Sequence, residues 1–136
     1  MNLHESFEGW VPEGRGEPKP YRPWGRVHPG SVMLHFIETP APKQAWPMEG
    51  RLIPFASIES VGYMAETPGR LSHVAITCHG LLIRITGRSL QRLVAALQRG
   101  EVDFIQSWGT EAWDEPPPAP EPMVDTITFT RRATRP

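Results

Sequence analysis

Residues 72–87 read Ser72-His73-Val74-Ala75-Ile76-Thr77-Cys78-His79-Gly80-Leu81-Leu82-Ile83-Arg84-Ile85-Thr86-Gly87. With His79-Gly80 as a two-residue turn, Cys78 faces Leu81, Ile76 faces Ile83 and Val74 faces Ile85. Each of these pairs is apolar, and all fall on one side of a two-stranded sheet. The other side collects His73, Ala75, Thr77, Leu82, Arg84 and Thr86, which are mostly small or polar. A slip of one residue would turn every side chain to the wrong face, so the pattern fixes the register. His79 is the unusual choice, because tight hairpin turns favour Asn, Asp or Gly at that position.

A face so apolar needs a cover, and the next segment supplies one. Leu90, Leu93, Val94 and Leu97 follow the i, i+3, i+4, i+7 spacing of a helix with a single apolar stripe. Ser89 is placed to cap its N-terminus, and Gly100 sits where a left-handed residue ends a helix. The expected helix spans 89–99.

Upstream, Ser31–Ile37 alternates on both faces, Val32, Leu34 and Phe36 on one and Met33, His35 and Ile37 on the other, as in a strand covered twice. The segment Arg51–Ala65 carries Ile53, Phe55, Ile58, Val61 and Tyr63, but its alternation slips near Ala56 and Gly62. A bulge or two short strands fits better than one clean strand. Pro68-Gly69 marks a turn. Downstream, Val102–Trp108 fits a short strand, and the alternation at 123–130 also fits a final strand on a sheet edge.

The fold class expected from this order is α+β: a small antiparallel sheet of about 4–6 strands, one helix on one face, in the order β-β-β-β-α-β. Three segments follow: a Pro/Gly-rich N-terminal arm (1–30), a single α+β domain (31–108) and an acidic, Pro-rich tail (109–136). Prolines at 12, 18, 20, 23 and 29 exclude a helix from the arm, while Trp10, Tyr21 and Trp24 favour packing on the chain's own surface. The short stretch Leu52-Ile53-Pro54-Phe55 through Ile58 to Val61 resembles the Ile-Pro-x-x-x-Ile-x-x-Val strand of bacterial pleckstrin-homology-like domains over about ten residues. A strand after the helix departs from that family's ending, so membership does not follow.

Composition narrows the function classes. With 136 residues, 39% of them hydrophobic, and a formal net charge of −1, the chain suits a globular middle. No run of eighteen apolar residues exists to span a membrane, and the start lacks the features of a signal peptide. Cys78 is the only cysteine, so no internal disulfide forms, and a reducing cytoplasm is the expected setting.

Charge is uneven: residues 51–100 carry a net of plus four, and residues 101–125 carry seven acids with no base. Arg92 and Arg99 lie opposite the leucine stripe, Arg88 precedes it, and Arg131, Arg132 and Arg135 make the C-terminus basic. Such a stripe suits a phosphate backbone, because arginine donates two hydrogen bonds at once. It equally suits a solvated helix face.

His73, Cys78, His79 and His35 are the closest approach to a metal or nucleophile cluster. The hairpin parity points Cys78 inward and His73 outward, so neither a metal site nor a reactive thiolate is expected, and no cofactor. Trp108 and Trp113 stand among acids directly before Pro116-Pro117-Pro118, a pattern used by peptides that dock in a partner's groove. The function expected is thus a small non-enzymatic interaction module that binds another protein or itself through the aromatic tail or arm and a sheet edge. Its candidate contact residues are Arg84, Arg92, Arg99, Trp108 and Trp113. The alternative is a nucleic-acid-associated protein using the helix arginines and the basic C-terminus.

Overall fold

A computed structural model describes residues 20–38, 49–67, 70–109, 113 and 115–131. Within them the central hairpin has the expected register: β5 (Arg70–Cys78) and β6 (Leu81–Arg88) pair Cys78 with Leu81, Ile76 with Ile83 and Val74 with Ile85. His79 is unstrained because only Gly80, at φ +68°, takes the left-handed region. The type I′ turn, which would demand it of both residues, is not used here.

The single sheet expected from the sequence is instead two sheets of four strands, and the element order is longer. One contains β1 (Trp24–Gly25), β2 (Met33–Glu38), β3 (Glu49–Pro54) and β7 (Phe104–Gln106), in the order β1-β7-β2-β3. The other contains β4 (Ile58–Thr67), β5, β6 and β8 (Met123–Arg131), in the order β4-β5-β6-β8. The division falls after Pro54, where a 3-10 turn at Phe55–Ser57 carries the chain from one sheet to the other. The segment resembling a pleckstrin-homology-like strand therefore spans a corner. The first sheet is also not purely antiparallel, since β2 and β7 run parallel.

The helix α1 (Gln91–Gln98) follows β6. Its stripe enters one buried cluster with the inner faces of both sheets, joining Leu90, Leu93 and Ala96 to Val74, Ile85 and Leu34. Burying each leucine is worth about 1.5–3 kcal/mol. Ser89 does not cap this helix: it lies at φ +58° and its Oγ donates to the Pro120 carbonyl at 2.8 Å. Leu90 takes the cap position, its own N–H satisfied by Leu71 O at 3.0 Å. The other end is as expected. Gly100 at φ +69° donates to Leu97 O and Glu101 donates to Ala96 O, the paired bonds of a Schellman motif.

Residues 20–30 and 115–131 are bonded into this framework. The Asp103 carboxylate, only 3% exposed, accepts from the backbone N–H groups of Val27 (2.9 Å) and His28 (2.6 Å). The Asp103 N–H donates to Gly25 O and its carbonyl accepts from His35 N–H, so one residue links β1, β2 and the turn between them. Arg88 donates to the carbonyls of Glu121 and Pro117 and holds the segment leading into β8. The remaining proline-rich stretches, with Trp10, the 39–48 connection and the Pro68-Gly69 turn, lie outside the described residues. No helix among the described residues is long and apolar enough to cross a membrane.

Two stability experiments follow from this bonding. Asp103→Ala leaves two backbone donors without their charged acceptor and should cost about 2 kcal/mol, read as a lower urea midpoint with faster proteolysis at residues 20–30. His35 is buried against Gly50, where a Cβ would come within 2.8 Å of its Nε2. Burial pushes its pKa from 6.5 down to about 4, against the opposing pull of Asp103. The unfolded chain therefore binds the proton first, and His35's contribution to stability is complete above pH 6.5 and lost as pH falls towards 4. The wild-type melting temperature should drop across that window by about 5 °C or more beyond the drop in His35→Gln, equivalent to roughly 1 kcal/mol.

Candidate functional site

Strand pairing sorts the second sheet into two surfaces. Its inner rows run Ile127–Ile85–Val74–Tyr63 and Phe129–Ile83–Ile76–Val61. Ile85, Val74, Ile83 and Ile76 are fully covered, but the rows emerge into solvent at β4, where Val61 is 38% exposed and Tyr63 65%. The outer surface carries Ser60, Gly62 and Met64 on β4, opposite Thr77, Ala75 and His73. Gly62 and Ala75 floor a shallow depression of about 260 Å³ walled by Met64, His73 and Arg84.

Each sheet has two lateral edges, and they differ. β1 is two residues long, and β3 begins with Glu49 and ends on Pro54. β8 is engaged at its start, where Val124 N–H donates to Tyr21 Oη at 3.0 Å and Val124 O accepts from Trp108 N–H at 2.8 Å. Further along β8, Phe129 stands edge-on to Phe36 and beneath the Arg51 guanidinium at 4.1 Å. β4 is ten residues long, sits at the end of its sheet, and has no charged residue from Ser60 to Ala65. Its pairing with β5 is irregular between Ile58 and Ser60 and again beyond Met64, so Ser60–Met64 is a regular run between two bulges.

The expected contact residues do not converge. Arg84 is on the outer surface of the second sheet, whereas α1, with exposed Arg92 on it and exposed Arg99 at its C-cap, packs on the inner one. Arg99 is also paired with Glu101 at 3.1 Å. Trp113 is 7% exposed and meets the Tyr21 ring edge-on at 4.8 Å, so its large face is spent within the chain. Trp108 is half-buried and its Nε1–H donates to Glu115 O at 3.2 Å. Tyr21 anchors this corner, donating to Gln106 O at 2.9 Å, and burial pushes its phenol pKa upward. Arg132 and Arg135 lie outside the described residues.

Tyr63 and Met64 were not singled out from sequence. The signal was there in their position on an alternating strand, but alternation is silent on whether a strand has a neighbour on both sides. Among the described residues no group of three or more metal-binding side chains comes together. No family model, curated protein or solved structure matches this chain.

Cys78 is 3% exposed at the closed end of the hairpin, and its thiol pKa is raised by burial, with Glu59 adding to the effect. Alkylation by iodoacetamide should accordingly be slow in the native protein and rise by about a hundredfold or more in urea. A native rate near that of a free thiol would overturn this placement.

Proposed function

We propose that this protein is a small non-enzymatic interaction module that takes up a strand of another polypeptide along β4. The observation that carries the reading is an edge without a neighbour among the described residues, uncharged from Ser60 to Ala65, that exposes Val61, Tyr63 and Met64. An edge strand offers a row of backbone donors and acceptors, so a partner strand gains main-chain hydrogen bonds there and side-chain contacts on alternate positions. Natural sheets usually blunt such an edge with charge or proline. Here the blunting is confined to the bulged ends. Tyr63 is the expected anchor, since tyrosine supplies a large rigid contact at low entropic cost. Arg84 and His73, on the outer surface behind it, would orient an acidic or polar flank of the partner strand.

The alternative, a nucleic-acid-associated protein using the helix arginines and the basic C-terminus, is less favoured because Arg99 is paired with Glu101 at 3.1 Å. Among the described residues the hairpin thiol is enclosed and His73 is bonded to Ser72 Oγ at 2.9 Å, which favours binding over catalysis there.

The test is capture of partners by immobilised full-length protein, with and without nuclease, compared with the Val61→Lys/Tyr63→Lys double variant. Both positions are exposed, so the variant should keep its fold to within about 0.5 kcal/mol each. Captured protein should survive nuclease and fall at least tenfold with the variant, about 1.4 kcal/mol of binding. Amide exchange over Ser60–Met64 should slow in the complex. Capture that ignores the variant, or vanishes with nuclease, would sink the reading.

A further inference from the structure

The partner strand that fits β4 best is β4 itself: we propose that two copies pair antiparallel through Ser60–Met64 about a two-fold axis at Gly62. This rests on the edge-pairing reading and commits it to one occupant. The regular run between the bulges is five residues long, and Gly62 is its midpoint. An axis there lays the whole run of one copy on the whole run of the other. Any other axis draws a bulge into the ladder.

Parity then decides the side chains. In antiparallel pairing, residues directly opposite share a face. With the axis at Gly62, Val61 stands opposite Tyr63 of the second copy, and Tyr63 opposite its Val61. Both are inner-face pairs of aromatic with β-branched, a combination that stabilises sheets. Each inner row that runs off the edge at Tyr63 is continued by the Val61 row of the other copy, so exposed apolar surface on one side is closed by the same surface on the other. On the outer face Gly62 meets Gly62, which leaves no side chains to collide at the axis, and Met64 meets Ser60.

Charge agrees with this register. Glu59 falls opposite Ala65, and the two Glu59 carboxylates end up about 20 Å apart along the ladder. Placing the axis at Val61 would set Glu59 beside Tyr63 and spoil the apolar row. The interface is isologous and closes on itself, so it limits assembly to a dimer. The product is one sheet of eight strands running from β8 to β8.

Cysteine at the axis tests the register directly. In Gly62→Cys the two thiols would sit on residues roughly 4.5–5.5 Å apart at Cα, within disulfide range. Space for the new side chain exists, since an added Cβ would meet only Ala75 O, at 4.0 Å. In Ser60→Cys the two thiols would be separated by about 14 Å, beyond that range. Light scattering on the full-length wild type at about 100 μM should give twice the monomer mass, and Val61→Lys/Tyr63→Lys should give the monomer mass. Under mild oxidation Gly62→Cys should form a covalent dimer at least about tenfold faster than Ser60→Cys.

A wild type that stays monomeric, with no Gly62→Cys cross-link, would overturn self-pairing. If its capture of other proteins still depends on Val61 and Tyr63, the edge-pairing reading survives. A dimer that tolerates the double lysine variant, or that links Ser60→Cys as fast as Gly62→Cys, is built on a different surface and also overturns the inference. Loss of both dimerisation and Val61/Tyr63-dependent capture would end both.

Discussion

The apolar face shared by β5 and β6 is the constraint from which the rest of this fold follows. Val74, Ile76, Ile83 and Ile85 are all but inaccessible to solvent. A two-stranded ribbon cannot cover its own face, so these side chains require a second layer. The chain provides it twice over, first with the short helix that leaves β6 directly and then with the first sheet, whose Leu34, Phe36 and Ile105 join the same cluster. Neither cover alone spans the width of four strands. The helix is only eight residues long and the first sheet brings few inward residues, so coverage reaches β4 at Ile58 but leaves Val61 and Tyr63 exposed.

Backbone and polar bonds, added to the apolar contacts of Trp24, Val124 and Ile127, bind the two ends of the described chain to this core. Asp103 is buried and charged, a costly state that is tolerated because its oxygens receive backbone N–H groups from Val27 and His28. Arg88 serves the opposite end through main-chain carbonyls of a proline-rich segment, where carbonyls outnumber N–H donors. Tyr21 bridges the two, bonded to β7 and β8 while its ring meets Trp113. Proline-rich segments have spare acceptors and few donors, and Arg88 and Ser89 fill that deficit at Pro117, Pro120 and Glu121.

What could be read from sequence divides along the same line. The β5–β6 register and the helix stripe were legible because each depends on side-chain periodicity, and periodicity is written residue by residue. The double burial of β2 was legible for the same reason. The second sheet was not: the slip near Ala56 coincides with the 3-10 turn after Pro54 and marked the break between two strands, but a break in alternation does not say that the two strands join different sheets. The parallel pairing of β2 with β7 joins segments nearly seventy positions apart, and no local pattern encodes it. Ser89 misled because its residue type favours a cap, yet its hydroxyl was claimed by Pro120, a long-range acceptor. The candidate site suffered likewise: arginines and tryptophans attracted notice as residue types, whereas the exposed edge is a property of topology.

An edge that is open and apolar is a hazard unless something limits what can pair with it. In β4 the limit is geometric. The bulges on either side of Ser60–Met64 bend the strand and disrupt its ladder, so only a short regular run can accept a neighbour. A long foreign strand gains little there, and open-ended stacking of many chains is disfavoured because the far edge, β8, is held by Tyr21 and Trp108 and carries Asp125 and Arg131. One open edge and one engaged edge give a sheet that can grow once and then stop. That asymmetry would separate a recognition surface from an aggregation seed: Tyr21 and Trp108 bond β8 at Val124, whereas β4 is the long edge without a neighbour among the described residues.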